Sequence, residues 1–110
     1  MWLSEKVLVR LQSTGAIKNI TAKNPLLATG YTEPSLVFLV GTQKVKMVGL
    51  KALAHDIKKH QYGLLLQKQW REFDGFAKSA QIDIKTISKA YGFRYNGGHW
   101  QTIIIVERTA

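Results

Sequence analysis

Residues 81–108, QIDIKTISKAYGFRYNGGHWQTIIIVER, decide the predicted fold because they combine a helical pattern, a turn and a long apolar run. Ile84, Ile87 and Tyr91 recur at helical spacing, with an aspartate before them that suits a helix N-cap. This spacing predicts a short helix over 83–91.

The second half of the stretch predicts a hairpin. Asn96-Gly97-Gly98 is a strong turn signal, because tight hairpins need residues that tolerate positive φ. The following run is rich in Ile, Val and Thr and predicts a strand over 100–106. Both faces of this strand are apolar, so we expect it inside a sheet, beside the apolar run 35–40.

The rest of the chain supplies strands first and helices afterwards. Alternating or continuous apolar runs predict four more strands, over 5–11, 16–22, 35–40 and 44–48. Apolar residues at helical spacing predict a helix from Leu50 and another over 64–80. Segregated strands and helices indicate an α+β fold. We therefore expect residues 1–110 to form one globular domain, with a mostly antiparallel sheet of five or six strands and three helices packed on one face.

Composition limits the class of protein. A chain of 110 residues with 45% hydrophobic residues predicts a single folded domain. It has no cysteine, which excludes disulfides and thiolate chemistry and favours a reducing, cytoplasmic location. No signal peptide and no membrane-spanning run is evident, so we expect no membrane association.

The charge balance suggests the partner. Sixteen lysines and arginines against seven acidic residues give a net charge of +9. A small domain with this charge attracts polyanions through long-range fields and counterion release. The expected partner is therefore DNA or RNA, a complex that handles nucleic acid, or an acidic protein.

The predicted binding residues are cationic, aromatic and hydrogen-bonding groups expected on the surface: Lys44, Lys46, Lys51, Lys58, Lys85, Lys89, Arg94, Tyr95, Asn96 and His99. The order of helix 64–80, helix 83–91 and hairpin 93–106 is that of a winged helix-turn-helix module. The alternative for 83–91 is a connector helix that packs its apolar side chains into the core.

A single-stranded partner is a further possibility. Proteins that bind single strands stack bases on aromatic rings beside a cationic groove. The candidate rings are Tyr31, Tyr62, Tyr95 and Trp100.

Catalysis has little support in the sequence. No nucleophile elbow, phosphate-binding loop or paired-carboxylate pattern occurs, and the histidine spacing does not suit a metal site, so we expect no enzyme, no cofactor and no metal. Gly92-Phe93 followed by Gly97-Gly98-His99 faintly resembles small toxin ribonucleases of the HicA type, over eight residues and with a shorter glycine-to-histidine distance. That resemblance implies a ribonuclease with His99 as general acid or base, the third-ranked alternative.

The second-ranked alternative is a small protein, of the kind that phages and mobile elements encode, that binds and inhibits a host protein complex. The two leading hypotheses predict different surfaces. A nucleic-acid binder should gather its lysines into one stripe, whereas a protein inhibitor should expose an apolar or aromatic patch with a polar rim.

Overall fold

Helices and strands alternate along much of the chain in the computed structural model, which describes residues 2–30, 34–94 and 99–110. Within these residues the α-helices are α1 (Leu3–Ser13), α2 (Pro34–Val40), α3 (Leu50–Asp56) and α4 (Trp70–Ser79). The strands are β1 (Leu26–Ala28), β2 (Val45–Met47), β3 (Tyr62–Leu66), β4 (Ile84–Arg94) and β5 (His99–Arg108). Short 3-10 helices cover Ala16–Asn19 and Gln67–Gln69.

The five strands form one mixed sheet in the order β2-β1-β3-β5-β4. β1 pairs in parallel with both β2 and β3, whereas β5 pairs antiparallel with β3 and β4. A single α+β domain with five strands is confirmed, but a mostly antiparallel sheet is wrong. The parallel pairs arise because α2 and α3 are crossover helices between successive strands.

The described residues form four α-helices rather than the predicted three, and these helices cover both faces of the sheet, so the prediction that they pack on one face is also wrong. We call the face under α1 and α2 the first face, where Leu3, Val7 and Leu36 pack with strand residues such as Leu64. The second face lies under α3 and α4, where Phe73 is fully buried. Strands buried on both faces read as continuous apolar runs, which explains the composition of β3 and of the second half of β5.

The N-terminal segment is a helix rather than the strand predicted over 5–11. Leu3, Val7 and Leu11 are fully buried at helical spacing, whereas Val9 is 47% exposed. The apolar alternation of Val7, Val9 and Leu11 favoured a strand, whereas the four-residue spacing of Leu3, Val7 and Leu11 fits one helix face. The strand predicted over 16–22 is wrong as well, since this segment begins as the 3-10 helix.

The apolar run 35–40 is helical rather than a central strand. It lies within α2, which starts at Pro34, and a proline at the first helical position is well tolerated. Leu36 and Val40 are buried one turn apart, while Phe38 is 82% exposed. The predicted pairing of 35–40 with 100–106 is therefore wrong, and β5 lies between β3 and β4 instead.

The predictions for the middle of the chain are correct in part. β2 confirms the strand over 44–48, and α3 confirms the helix that begins at Leu50. The helix predicted over 64–80 begins only at Trp70, because the fully buried strand β3 extends to Leu66 and a 3-10 helix covers Gln67–Gln69.

The helix predicted over 83–91 is the strand β4. A β-bulge between Thr86 and Ser88 interrupts the alternation of the strand. The bulge explains the misleading three-residue spacing, since Ile84 packs against the second-face core and Ile87 against the first-face core. The final hairpin is confirmed, because β4 and β5 pair antiparallel from Ile84 opposite Arg108 to Arg94 opposite His99.

Candidate functional site

The hairpin of β4 and β5 extends beyond the other strands of the sheet. The two strands have 11 and 10 residues, against five in β3. On the first face α1 packs on β4, and Ala90 and Gly92 are buried. On the second face, by contrast, Tyr91 and Trp100 are 58% and 55% exposed. The end of the hairpin therefore presents an uncovered aromatic surface on one side.

These aromatic rings contact one another. The ring centroids of Tyr91 and Trp100 lie 5.4 Å apart in a stacked arrangement. Phe93 packs edge-on against Trp100 at 5.7 Å, and Trp2 approaches Phe93 at 5.6 Å. Mutual packing of this kind fixes the orientation of the rings and reduces the entropy lost when they bind a ligand.

Two cavities lie beside the aromatic surface and adjoin at Gln67 and Lys68, which line both of them. We call the pair the hairpin groove. The larger cavity, of about 650 Å³, is lined by Gln67, Lys68, Trp70, Arg71, Thr86, Lys89 and Ile104. The smaller cavity, of about 570 Å³, is lined by Leu66, Gln67, Lys68, His99, Trp100, Gln101 and Thr102.

The hairpin groove is cationic. Lys68, Arg71 and Lys89 are all exposed, and no described carboxylate lies within ion-pair distance of them. Lys78 differs, because it pairs with Asp74 at 3.0 Å. Of the described residues that line the groove, none is acidic. The three cations are therefore available to a bound anion, with no internal charge to displace.

The local structure of the chain explains why Lys68 and Lys89 lie at the groove. The 3-10 helix Gln67–Gln69 links the end of β3 to α4 and brings Lys68 over the groove. Lys89 lies opposite Ile104 in the register of β4 and β5, and paired residues point to the same face of a sheet. Since Ile104 belongs to the second-face core, Lys89 points toward the groove as well.

The predicted lysines do not form one stripe. Lys44 and Lys46 lie at or beside β2, while Lys85 and Lys89 lie on β4, and these two strands are opposite edges of the sheet. Four strand spacings separate the edges, which is roughly 19 Å. Even the two lysines of β4 point to different faces, because the residues opposite them are Glu107 and Ile104.

The remaining predicted residues are dispersed. Lys51 lines a small cavity between α3 and α4, and the backbone N–H of Lys58 donates to Gln61 Oε1 at 2.8 Å. Arg94 and His99 are paired at the end of the hairpin, and His99 also lines the groove. Tyr95 and Asn96, which were predicted to contribute to binding, lie outside the described residues.

The helix-turn-helix hypothesis is wrong, because its second helix would be residues 83–91, which are a strand. Of the rings proposed for base stacking, Trp100 is exposed and lines the groove, whereas Tyr62 is buried. Tyr31 and Tyr95 lie outside the described residues.

Lys68, Arg71 and Tyr91 belong to this surface but were not predicted as site residues. Lys68 and Arg71 face away from the apolar stripe of the segment 64–80, which was the available signal for their exposure. Tyr91 was assigned to the core because a helix over 83–91 would have buried it. Assigning that segment as a strand would have placed Tyr91 and Lys89 on one face.

Residues 2–30, 34–94 and 99–110 contain no group of three or more His, Asp or Glu side chains that could hold a metal ion. No helix within these ranges is long and apolar enough to cross a bilayer.

Comparison with protein-family models, with curated proteins and with solved structures found no match to this chain.

Proposed function

We propose that this protein binds nucleic acid without catalysis, and that the hairpin groove is its binding surface. The observation that carries the proposal is the presence of three exposed, unpaired cations around cavities whose described lining contains no acidic residue. Phosphate groups are the anions that such a surface attracts, and the net charge of +9 adds a long-range attraction. The same groove would serve if the nucleic acid were presented within a larger complex.

The test compares two triple variants that remove the same charge. The groove variant carries Lys68→Ala, Arg71→Ala and Lys89→Ala, and the control carries Lys44→Ala, Lys46→Ala and Lys58→Ala. Both change the net charge by three, so the loss of long-range attraction is matched. Fluorescence anisotropy with labelled DNA and RNA oligonucleotides at two salt concentrations gives the affinities.

We expect the groove variant to bind more weakly than the control. Exposed charge pairs contribute about 0.2–1 kcal/mol each, so three lost pairs reduce the affinity by roughly three- to 150-fold. Equal losses in the two variants would mean that only net charge matters and would remove the groove from the proposal. An absence of nucleic-acid binding by the unmodified protein at low salt would reject the proposal as a whole.

A second candidate function is binding and inhibition of another protein, as expected for a small phage-encoded inhibitor. The exposure of Phe38 and Leu39 on α2 favours it, because neighbouring exposed apolar side chains are typical of protein interfaces. The test is a crosslinking pull-down with the unmodified protein and with Phe38→Ser. A specific partner lost in the variant would support this candidate, and identical recoveries would oppose it.

A further inference from the structure

We infer that the hairpin groove takes single-stranded rather than duplex nucleic acid, with an unpaired base extending the stack of Tyr91 and Trp100. This inference rests on the proposed function, since it specifies the form of nucleic acid at the same site. Three features of the surface carry it.

The first feature is the position of the aromatic pair. Both rings are more than half exposed, and Trp100 packs against Tyr91 on one side and Phe93 on another. An exposed, rigid ring offers a π-face on which any base can stack, whatever its identity. Bases inside a duplex already stack on each other and cannot use such a ring without being unpaired.

The second feature is the placement of charge beside the rings. Lys89 lies two residues before Tyr91 on β4, and strand alternation places both on the second face. Lys68 lines both cavities of the groove, including the cavity formed in part by Trp100. A strand whose base stacks on the rings therefore has cations within reach of its adjoining phosphates, as in other single-strand binding grooves.

The third feature is the size of the groove. Its lining follows β5 from His99 to Ile104, which at about 3.3 Å per residue is roughly 17 Å. Stacked nucleotides of one strand lie about 3.4 Å apart, so the floor accommodates about five of them. This length falls within the usual range of about 4–16 nucleotides for a single-strand binding fold.

The groove also contains hydrogen-bonding side chains that suit unpaired bases. Gln67, Gln101 and Thr102 line the smaller cavity together with Trp100. Amide and hydroxyl groups can both donate and accept hydrogen bonds, so they can contact base edges that a duplex would hide. A surface that only neutralised phosphates would not require these groups.

The experiment measures affinities for a 12-nucleotide oligo-dT, a 12-nucleotide oligo-U and a 12-base-pair DNA duplex in one buffer. The proteins are the unmodified chain, Tyr91→Ala, Trp100→Ala and Trp100→Phe, with Phe38→Ala as an exposed aromatic control on α2. Circular dichroism and thermal unfolding establish that each variant is folded. Trp100→Phe keeps an aromatic ring and therefore separates a stacking role from a role in folding.

We expect the unmodified protein to prefer at least one single strand over the duplex. Tyr91→Ala and Trp100→Ala should each weaken single-strand binding by roughly five- to 150-fold, the usual range for loss of one stacked base. Trp100→Phe should keep most of the single-strand affinity that Trp100→Ala loses. Phe38→Ala should bind like the unmodified protein. Duplex binding should change less than twofold in every variant.

The outcomes distinguish a failure of the single-strand inference from a failure of the proposed function. A preference for the duplex, or equal losses on duplex and single strands in the aromatic variants, would overturn the inference while charge-dependent binding at the groove stands. Binding of single strands that is insensitive to both aromatic variants would also overturn it. Failure to bind any of the three probes at low salt would reject the proposed function itself.

Discussion

Gly63 lies in the middle of β3, where neighbouring strands and α3 approach it closely. A Cβ atom there would lie 3.0 Å from Leu53 Cδ1 and 3.3 Å from Val106 Cγ2. Both neighbours are fully buried and cannot move away easily. We expect Gly63→Ala to lower the free energy of unfolding by about 1–2 kcal/mol, because overpacking exceeds the entropic gain of alanine. Urea unfolding, monitored by circular dichroism, measures this change in the free energy of unfolding.

Gly75 is the matched control for this substitution. It is exposed on α4, and a Cβ atom there would have no neighbour within 4 Å. Because alanine favours a helix more than glycine does, Gly75→Ala should raise the free energy of unfolding by about 0.5–1 kcal/mol. If the two alanine variants had the same stability, the close packing described around Gly63 would be wrong.

Gln61 is a buried polar residue that joins two loops. Its Oε1 accepts from the Lys58 N–H at 2.8 Å, and its Nε2 donates to the Pro25 carbonyl at 2.8 Å. Gln61→Leu leaves both backbone groups without these bonds and should cost about 1–3 kcal/mol of unfolding free energy. Thermal unfolding tests this, with the exposed Gln43→Leu as control, and equal midpoints for the two variants would contradict it.

At the scale of elements, Trp2 at the start of the N-terminal segment contacts the end of β4. Trp2 forms an isolated parallel bridge with Phe93, and the two rings are 5.6 Å apart. Aromatic pairs contribute about 0.5–1.5 kcal/mol beyond burial. In Trp2→Ala, amide hydrogen exchange at residues 89–93 should therefore accelerate by roughly two- to tenfold. Phe38→Ala is the control, and unchanged exchange in Trp2→Ala would show that the bridge does not hold the strand.

Elements with a distinctive local signal were predictable from the sequence, and short apolar runs were not. The turn signal of Asn96-Gly97-Gly98 and the β-branched run after it correctly predict that the last two strands pair antiparallel, although the turn residues themselves lie outside the described residues. The run 35–40 is equally compatible with a strand and with a helix buried on one side, and only packing against the sheet decides. In β4 the bulge changes the spacing of apolar residues, which sequence periodicity interprets as a helix.

Some residues of the candidate site were predictable from the sequence, but their arrangement in the groove was not. Net charge indicated a polyanion partner, and Lys89, His99 and Trp100 were among the residues proposed to contact it. The groove, however, depends on which side chains of β4 and β5 point to the second face, and on the 3-10 turn that carries Lys68. These side-chain directions and the position of the 3-10 helix depend on tertiary structure, so they leave no periodic signal in the sequence.

At the scale of the whole molecule, the salt dependence of binding reports how many cations contact phosphates. Each phosphate neutralised on a single strand contributes about 0.7 to the slope of log K against log salt. The variant Lys68→Ala/Arg71→Ala/Lys89→Ala should therefore lose about 2 from the magnitude of this slope. The control Lys44→Ala/Lys46→Ala/Lys58→Ala should keep the slope of the unmodified protein. A similar reduction in both variants would show that the slope follows net charge rather than contacts in the groove.

The central claim is that nucleic acid binds in the hairpin groove, and chemical-shift mapping tests it most directly. A 12-nucleotide oligo-dT is titrated into the ¹⁵N-labelled protein, and amide shifts are followed residue by residue. We predict the largest changes at residues 67–71, 86–91 and 99–104, with little change in α2 and β2. Changes concentrated at β2 or on the first face, or no changes at saturating oligonucleotide, would contradict the claim.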